Sequence, residues 1–165
     1  MRVVILGIGN ILLRDEGVGV RAAERLREEY VAPQGVEVID GGTCGMELLD
    51  PLCGADLLLV LDAVKAGRAP GTMVCLTGAE VPVFFRAKLS PHQVSICDVL
   101  ASLEFAGDPP KDLVLVGVEP ESLALGTELS AAIAARVPGM LDTAVEQLAL
   151  RGVRLARRAS LAGAL

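Results

Sequence analysis

Residues 57–76 read LLLVLDAVKAGRAPGTMVCL and contain the two apolar runs that decide the fold. The first run, Leu57–Ala63, is apolar on both faces, which is typical of a strand in a parallel sheet that helices cover on both sides. The second run, Thr72–Leu76, follows after Ala63–Gly71, a connection shorter than the dozen or so residues that a parallel crossover needs. These two strands are therefore predicted to run antiparallel.

The rest of the chain alternates apolar runs with helical periodicity. Three further strands are predicted at Arg2–Gly7, Val36–Asp40 and Leu113–Val118. Apolar residues spaced by four from Val18 to Tyr30 predict the first helix. Further helices are predicted at Met46–Cys53, at Pro91–Phe105, and from Ser130 to Gly152 with a kink or break at Pro138; Phe84–Lys88 is predicted to be a loop. This order indicates an α/β fold with a five-stranded, mostly parallel sheet whose fourth strand is antiparallel.

Length and composition indicate one domain. A chain of 165 residues is about the length of a single domain, and 52% hydrophobic with 22% charged residues excludes a disordered chain. No apolar run approaches the ~20 residues that cross a bilayer, so a membrane is not an expected partner. We predict one α/β domain over residues 1–150, followed by a basic C-terminal tail over residues 151–165.

Charge and cysteine content limit the partners and the compartment. The net charge is −6, and because four arginines and no acid lie in residues 151–165, residues 1–150 carry −10. Such a surface repels phosphate backbones, so nucleic acid is not an expected partner. We interpret the arginines as solvated charges after a helix end. The four cysteines form no C-x-x-C pair, which is typical of reduced thiols and predicts a cytoplasmic protein.

The glycine-rich start, GIGNIL at residues 7–12, shares two glycines with a dinucleotide-binding fingerprint, and Asp40 ends the second strand where a ribose-binding acid stands in such folds. Two features count against a nucleotide. Leu12 stands where a third glycine would allow close packing of helix on strand. Asp15 and Glu16 place negative charge at the helix start that a pyrophosphate needs; Asp15 is expected to cap that helix.

Three side chains of metal-binding type are predicted to meet at the carboxyl edge of the sheet. Glu16 follows the first strand, Asp62 directly follows a buried run, and His92 is the only histidine of the chain. Two carboxylates and one imidazole suit Zn²⁺ or Ni²⁺. Each residue also has a structural interpretation, as a helix-capping acid, a turn cap and a hydrogen-bonded residue near a helix start. Spacing over such long loops leaves both interpretations open.

Longer motifs occur in order over residues 1–150. They are MRVVILGIGNILLRDEGVGV at residues 1–20, DGGT at 40–43, DA at 62–63, APGT at 69–72, SPHQ at 90–93 and LVGVEPESL at 115–123. Together they resemble the hydrogenase maturation endopeptidases. The resemblance implies a three-layer α/β/α sandwich. It also implies a protease that removes a C-terminal extension from the large subunit of a [NiFe] hydrogenase after nickel insertion.

The resemblance assigns roles to three residues. An acid in the first loop, an acid after the third strand and the histidine of the SPH segment correspond to Glu16, Asp62 and His92, the implied metal-recognising and catalytic residues. The implied partner is the nickel-loaded large-subunit precursor, which brings the nickel with it; zinc or another divalent ion is an alternative occupant. The function of Cys44, in the glycine loop, is not carried over from the family.

Two other functions are consistent with the residues alone. One is a non-catalytic metal or chaperone protein that holds the immature subunit, and the other is a doubly wound nucleotide-binding enzyme. For the protease, either a metal-bound water or a water activated by a carboxylate would attack the peptide bond.

Overall fold

A five-stranded sheet forms the centre of the computed structural model, which describes residues 1–86 and 95–159. Its strands, in the spatial order β3-β1-β4-β6-β5, are β3 (Val36–Gly42), β1 (Val3–Ile8), β4 (Leu57–Ala63), β6 (Asp112–Val118) and β5 (Met73–Thr77). Four strands are parallel, and β5 pairs antiparallel with β6. Strand β5 is the fourth strand of this sheet along the chain, so the prediction that the fourth strand is antiparallel is confirmed.

Helices cover both faces of this sheet. They are α1 (Val18–Glu29), α2 (Leu49–Leu52), α3 (Glu80–Arg86), α4 (Ile96–Ala106), α5 (Ala131–Ala134) and α6 (Val137–Leu150), with 3₁₀ turns at Arg14–Gly17 and Met46–Leu48. Alternate residues of β4 enter opposite cores: Leu57, Leu59 and Leu61 belong to the core with α1, α5 and α6, and Leu58 and Val60 to the core with α2, α3 and α4. The three-layer α/β/α sandwich is therefore confirmed.

Two helix boundaries differ from the prediction. The helix predicted to start at Pro91 begins at Ile96, because Ser95 has extended backbone and its N–H donates to Asp98 Oδ2 at 2.7 Å in a capping box. Phe84 to Arg86 belong to α3 rather than to a loop, and Phe85 is buried against the core; Ala87 and Lys88, the rest of the predicted loop, lie outside the described residues. The predicted division of the last helix is confirmed, since α5 and α6 are separate helices; the break lies at residues 135–136, and Pro138 stands in the first turn of α6.

The basic segment after α6 is not a solvated tail along its described length. Val153 is buried in the core, and Arg151 pairs with Asp112 of β6 at 2.6 Å. Strand β7 (Ala156–Arg157) pairs antiparallel with β2 (Tyr30–Val31), and the Arg157 guanidinium lies 5.4 Å from the centre of the Tyr30 ring. Specific pairing and an aromatic contact hold residues that we expected to be solvated. The division of the chain at residue 150 stays a prediction.

Helix α1 approaches the sheet at two glycines. A Cβ on Gly19 would lie 2.1 Å from the Leu61 carbonyl oxygen and 2.5 Å from that of Ile8. A Cβ on Gly7 would lie 2.5 Å from the Gly19 carbonyl oxygen. The expectation that Leu12 prevents close helix-to-strand packing is wrong, because Leu12 is exposed and Gly7 and Gly19 make the contact.

No helix in residues 1–86 or 95–159 is long and apolar enough to cross a membrane.

We predict that Gly19→Ala lowers the free energy of unfolding by roughly 3 kcal/mol, because the added methyl group would meet two backbone carbonyls that cannot move separately. The matched control is Gly139→Ala in α6, where a Cβ would meet nothing within 4 Å; it should stabilise by about 0.5–1 kcal/mol. Urea titration of both variants measures the difference. Wild-type stability in Gly19→Ala would contradict this packing.

Candidate functional site

A cleft of about 1000 Å³ opens at the carboxyl ends of β1, β3 and β4. Three segments form its walls: the loop from Ile8 to Glu16, the loop from Gly42 to Leu48, and the end of β4. Phe85, Ser95 and Ile96 complete the lining. This is the edge at which ligands bind in open α/β sheets.

Glu16 enters this cleft from the 3₁₀ turn that precedes α1. The turn packs tightly against Gly9, which has φ 132°: a Cβ on Gly9 would be 1.9 Å from the Glu16 carbonyl oxygen. Within residues 1–86 and 95–159, no hydrogen bond to the Glu16 carboxylate is formed. Burial raises the pKa of this half-buried carboxyl above its ordinary value.

Asp62 enters the same cleft from β4. In the sheet, Asp62 pairs with Gly117 of β6, and the Asp62 Oδ1 accepts the N–H of Ala63 at 2.8 Å. The five residues before it, 57–61, are fully buried, so the carboxylate marks the point where the strand leaves the core. Glu16 and Asp62 therefore line the same cleft at the carboxyl edge of the sheet, and their predicted role in metal recognition stays a prediction.

His92, the third predicted ligand, lies outside the described residues. Among the residues that are described, no group of three histidine, cysteine or carboxylate side chains could hold a metal ion. Phe85 and Ser95, which stand on either side of His92 in the sequence, both line the cleft.

The glycine loop on the opposite wall is shaped by its own polar groups. Asp40 Oδ1 accepts the N–H of Gly42 at 2.9 Å, and the Gly9 N–H donates to the Gly42 carbonyl at 2.8 Å, which joins this loop to the first one. Glu47 Oε2 accepts the N–H of Gly45 at 3.1 Å. Cys44 lies exposed between them on the cleft lining. The Asp40 carboxylate therefore has a structural partner within its own turn.

Asp15 was expected from the sequence to cap α1, and this expectation is wrong. Its fully buried carboxylate instead accepts hydrogen bonds from Glu121 N–H at 3.0 Å and Ser122 N–H at 2.8 Å, and from the N–H and hydroxyl of Ser130 at 2.7 and 2.8 Å. Burial alone would raise the pKa of Asp15, but these hydrogen bonds outweigh burial and lower the pKa below its ordinary value. The loop that carries Glu16 is thus attached to residues 121–130.

Glu119 has a similar structural role that its position in the sequence did not reveal. It follows β6 and is buried, and its carboxylate accepts the N–H groups of Ala66 and Gly67 at 2.8 and 3.2 Å. This contact holds the loop that follows β4, the strand that carries Asp62 as its penultimate residue. The EPES motif at residues 119–122 therefore takes part in positioning both carboxylates of the cleft. This role depends on contacts between segments that are distant in the chain, so no local sequence pattern indicates it.

Comparison with known proteins agrees with this fold. The family model described as hydrogenase maturation protease (HycI) matches residues 20–147. The hydrogenase 2 maturation protease of Escherichia coli K12 is 48% identical over 149 residues, which cover 90% of this chain and 88% of that protein. The hydrogenase expression/formation protein HoxM of Azotobacter vinelandii is 47% identical, over 94% of this chain and 76% of HoxM.

A solved structure shows the same architecture. The hydrogenase maturating endopeptidase HybD from E. coli superimposes with a TM-score of 0.91 at 45% identity, over 96% of this chain and 98% of that one. The described α/β/α sandwich is thus the architecture of a maturating endopeptidase. The chain belongs to the hydrogenase maturation protease family.

We predict that Asp15→Asn destabilises the protein by roughly 2–4 kcal/mol at pH 7, because an amide would turn two N–H donors toward four donors that a carboxylate accepts. The folded-state pKa of Asp15 lies below the unfolded value of about 3.9, so the contribution is present above that value and is lost as pH falls through the folded pKa. Chemical denaturation at pH 7 and toward pH 2 measures both effects.

The control for this prediction is Asp142→Asn, at an exposed position of α6, which should change stability by less than about 0.5 kcal/mol. A difference between wild type and Asp15→Asn that grows as the pH falls would contradict the assigned hydrogen bonds.

Proposed function

We propose that this protein removes the C-terminal extension of a [NiFe] hydrogenase large-subunit precursor after nickel has been inserted. Glu16, Asp62 and His92 are proposed to recognise the nickel that the substrate carries. The observation that carries the proposal is the convergence of Glu16 and Asp62, from separate segments of the chain, in one cleft of a maturation protease. The cytoplasmic location expected from the sequence belongs to this proposal.

Chain connectivity supports His92 as the third ligand. Ser95 lines the cleft, and His92 precedes it by three residues, which span at most about 11 Å when extended. An imidazole added to two carboxylates makes a donor set that suits Ni²⁺ or Zn²⁺. Three donors leave coordination positions for ligands that the substrate supplies. A precursor without nickel would lack this anchor, so its scissile bond would not be held in place.

The shape of the cleft supports an extended peptide as the bound segment. Thr43 and Cys44 are exposed on one wall, between Gly42 and Gly45, whose lack of side chains leaves the backbone accessible. Ile8, Leu13 and Phe85 supply apolar lining beside the two carboxylates. An extended substrate segment between these walls would place its backbone beside the glycine loop. The metal that the substrate carries would then lie beside the carboxylates of Glu16 and Asp62.

Hydrolysis adds the oxygen of water to the scissile carbonyl carbon, breaks the C–N bond and delivers a proton to the leaving amine. Bound nickel would supply positive charge that orients the substrate and lowers the pKa of a coordinated water. Alternatively, a carboxylate takes the proton from water. Glu16 or Asp62 suits that role better than Asp40, whose carboxylate already accepts the Gly42 N–H.

The test is to mix the protein with nickel-loaded and nickel-free precursor and to measure the mass of the large subunit. Wild type should shorten only the loaded form. Glu16→Gln, Asp62→Asn and His92→Ala should each lower the rate at least about 100-fold, because each removes a ligand while keeping the fold. Glu104→Gln, an exposed acid near the end of α4, is the control and should cleave at the wild-type rate.

Three outcomes separate the parts of this proposal. A loaded precursor that is bound but never shortened would contradict the protease. Equal shortening of the loaded and nickel-free forms would contradict recognition through nickel. Wild-type rates in His92→Ala, with both carboxylate variants inactive, would remove His92 from the site.

A further inference from the structure

Exposed apolar side chains are concentrated beside the cleft. Within residues 1–86 and 95–159, ten large apolar side chains are exposed, and four of these lie on two loops at the carboxyl edge of the sheet. We name these four the rim patch: Ile11, Leu12, Leu123 and Leu125, with 38%, 57%, 38% and 86% of their surface exposed. A fifth, Met46, lies on the cleft lining itself.

Hydrogen bonds hold the two loops of the rim patch together. The Gly126 N–H donates to the Leu12 carbonyl and the Arg14 N–H to the Gly126 carbonyl, both at 2.9 Å. The Asp15 carboxylate binds Glu121, Ser122 and Ser130 of the second loop. The apolar side chains therefore stand on backbone that is fixed on both sides. Contiguous exposed apolar patches on a protein surface mark interaction sites.

The rim patch borders the cleft directly. Asn10, Leu13 and Glu16 line the cleft, and Ile11 and Leu12 lie between the first two of these in the same loop. A substrate whose chain end occupies the cleft would therefore bring its folded body against the rim patch. The charges beside the rim patch are mixed, because Glu121 and Glu128 are exposed while the Arg14 and Arg21 guanidinium groups donate to the Glu128 and Thr127 carbonyls of the second loop.

We propose that the rim patch docks an apolar surface of the folded large-subunit precursor, outside the extension that is removed. This inference rests on the proposed function and adds a second contact region to it. A protease that cuts one bond in one protein gains selectivity when binding energy from remote contacts positions that bond. The rim patch supplies such contacts next to the carboxylates, and the cleft holds the chain end.

The experiment compares Leu12→Ser/Leu125→Ser with wild type. The dissociation constant for nickel-loaded precursor is measured by biolayer interferometry, and kcat and KM are measured by mass spectrometry. The double variant should weaken binding and raise KM at least tenfold, which corresponds to about 1.4 kcal/mol, with kcat unchanged within twofold. Because both side chains are exposed, the melting temperature should stay within about 2 °C of wild type.

Phe105→Ser is the matched control, since Phe105 is 96% exposed near the end of α4, which leads to the opposite edge of the sheet. It should bind within twofold of wild type. Wild-type affinity in the double variant, or equal weakening in Phe105→Ser, would overturn the rim patch as a docking surface. A wild-type dimer in sedimentation that the double variant dissociates would overturn it too, since a second copy would then be the occupant.

The failure of the proposed function would look different. If wild type binds the loaded precursor without shortening it, the protease proposal fails, and the dissociation constants still test the rim patch. If wild type shortens the precursor and the double variant matches it in KM, the protease stands and the docking surface fails.

Discussion

The carboxylate of Asp15 accepts four hydrogen bonds from residues that lie 106 to 115 positions further along the chain, and the geometry of the cleft depends on this contact. It attaches the loop after the first strand to the loop after the last strand of the sheet. Glu16 is the next residue, so the same interaction sets where its side chain enters the cleft. A buried charge with every nearby donor directed at it is rigid, because any displacement would leave it desolvated and unpaired.

Close packing supplies the second constraint. Gly7, Gly9 and Gly19 bring α1 and the turn before it against the ends of β1 and β4, closer than any side chain would allow. The glycine-rich start therefore serves helix-to-sheet contact and the placement of a carboxylate. This explains how one motif can resemble a phosphate loop and still present an acid at the helix start. On the other side of the cleft, Glu119 holds the loop that follows Asp62, so each carboxylate is supported by another buried acid.

The sequence predicted most of the fold because the signals were local. Runs that are apolar on both faces, such as Leu57–Ala63, indicate buried parallel strands. The short connection after that run indicates that the next strand along the chain, β5, is antiparallel. Pro138 marked a helix boundary by its missing N–H. The placement of Glu16 and Asp62 at one edge of the sheet followed from topology, since Asp62 stands at the carboxyl end of β4 and Glu16 in the loop that follows the parallel strand β1. Assigning them to a protease needed the motif resemblance.

What the sequence did not predict depends on partners far away in the chain. Asp15 at a helix start has the same local pattern whether it caps that helix or binds residues 121–130, and only the fold distinguishes the two. Tyr30 and Arg157 likewise form their contact through a strand pair that neither segment indicates alone.

The central claim, that Glu16 and Asp62 meet the nickel of the substrate, is tested most directly by nickel-edge X-ray absorption on the rapidly frozen complex with loaded precursor. The account predicts new oxygen ligands to nickel that are lost in Asp62→Asn; a nickel environment identical to that of the free precursor would contradict it.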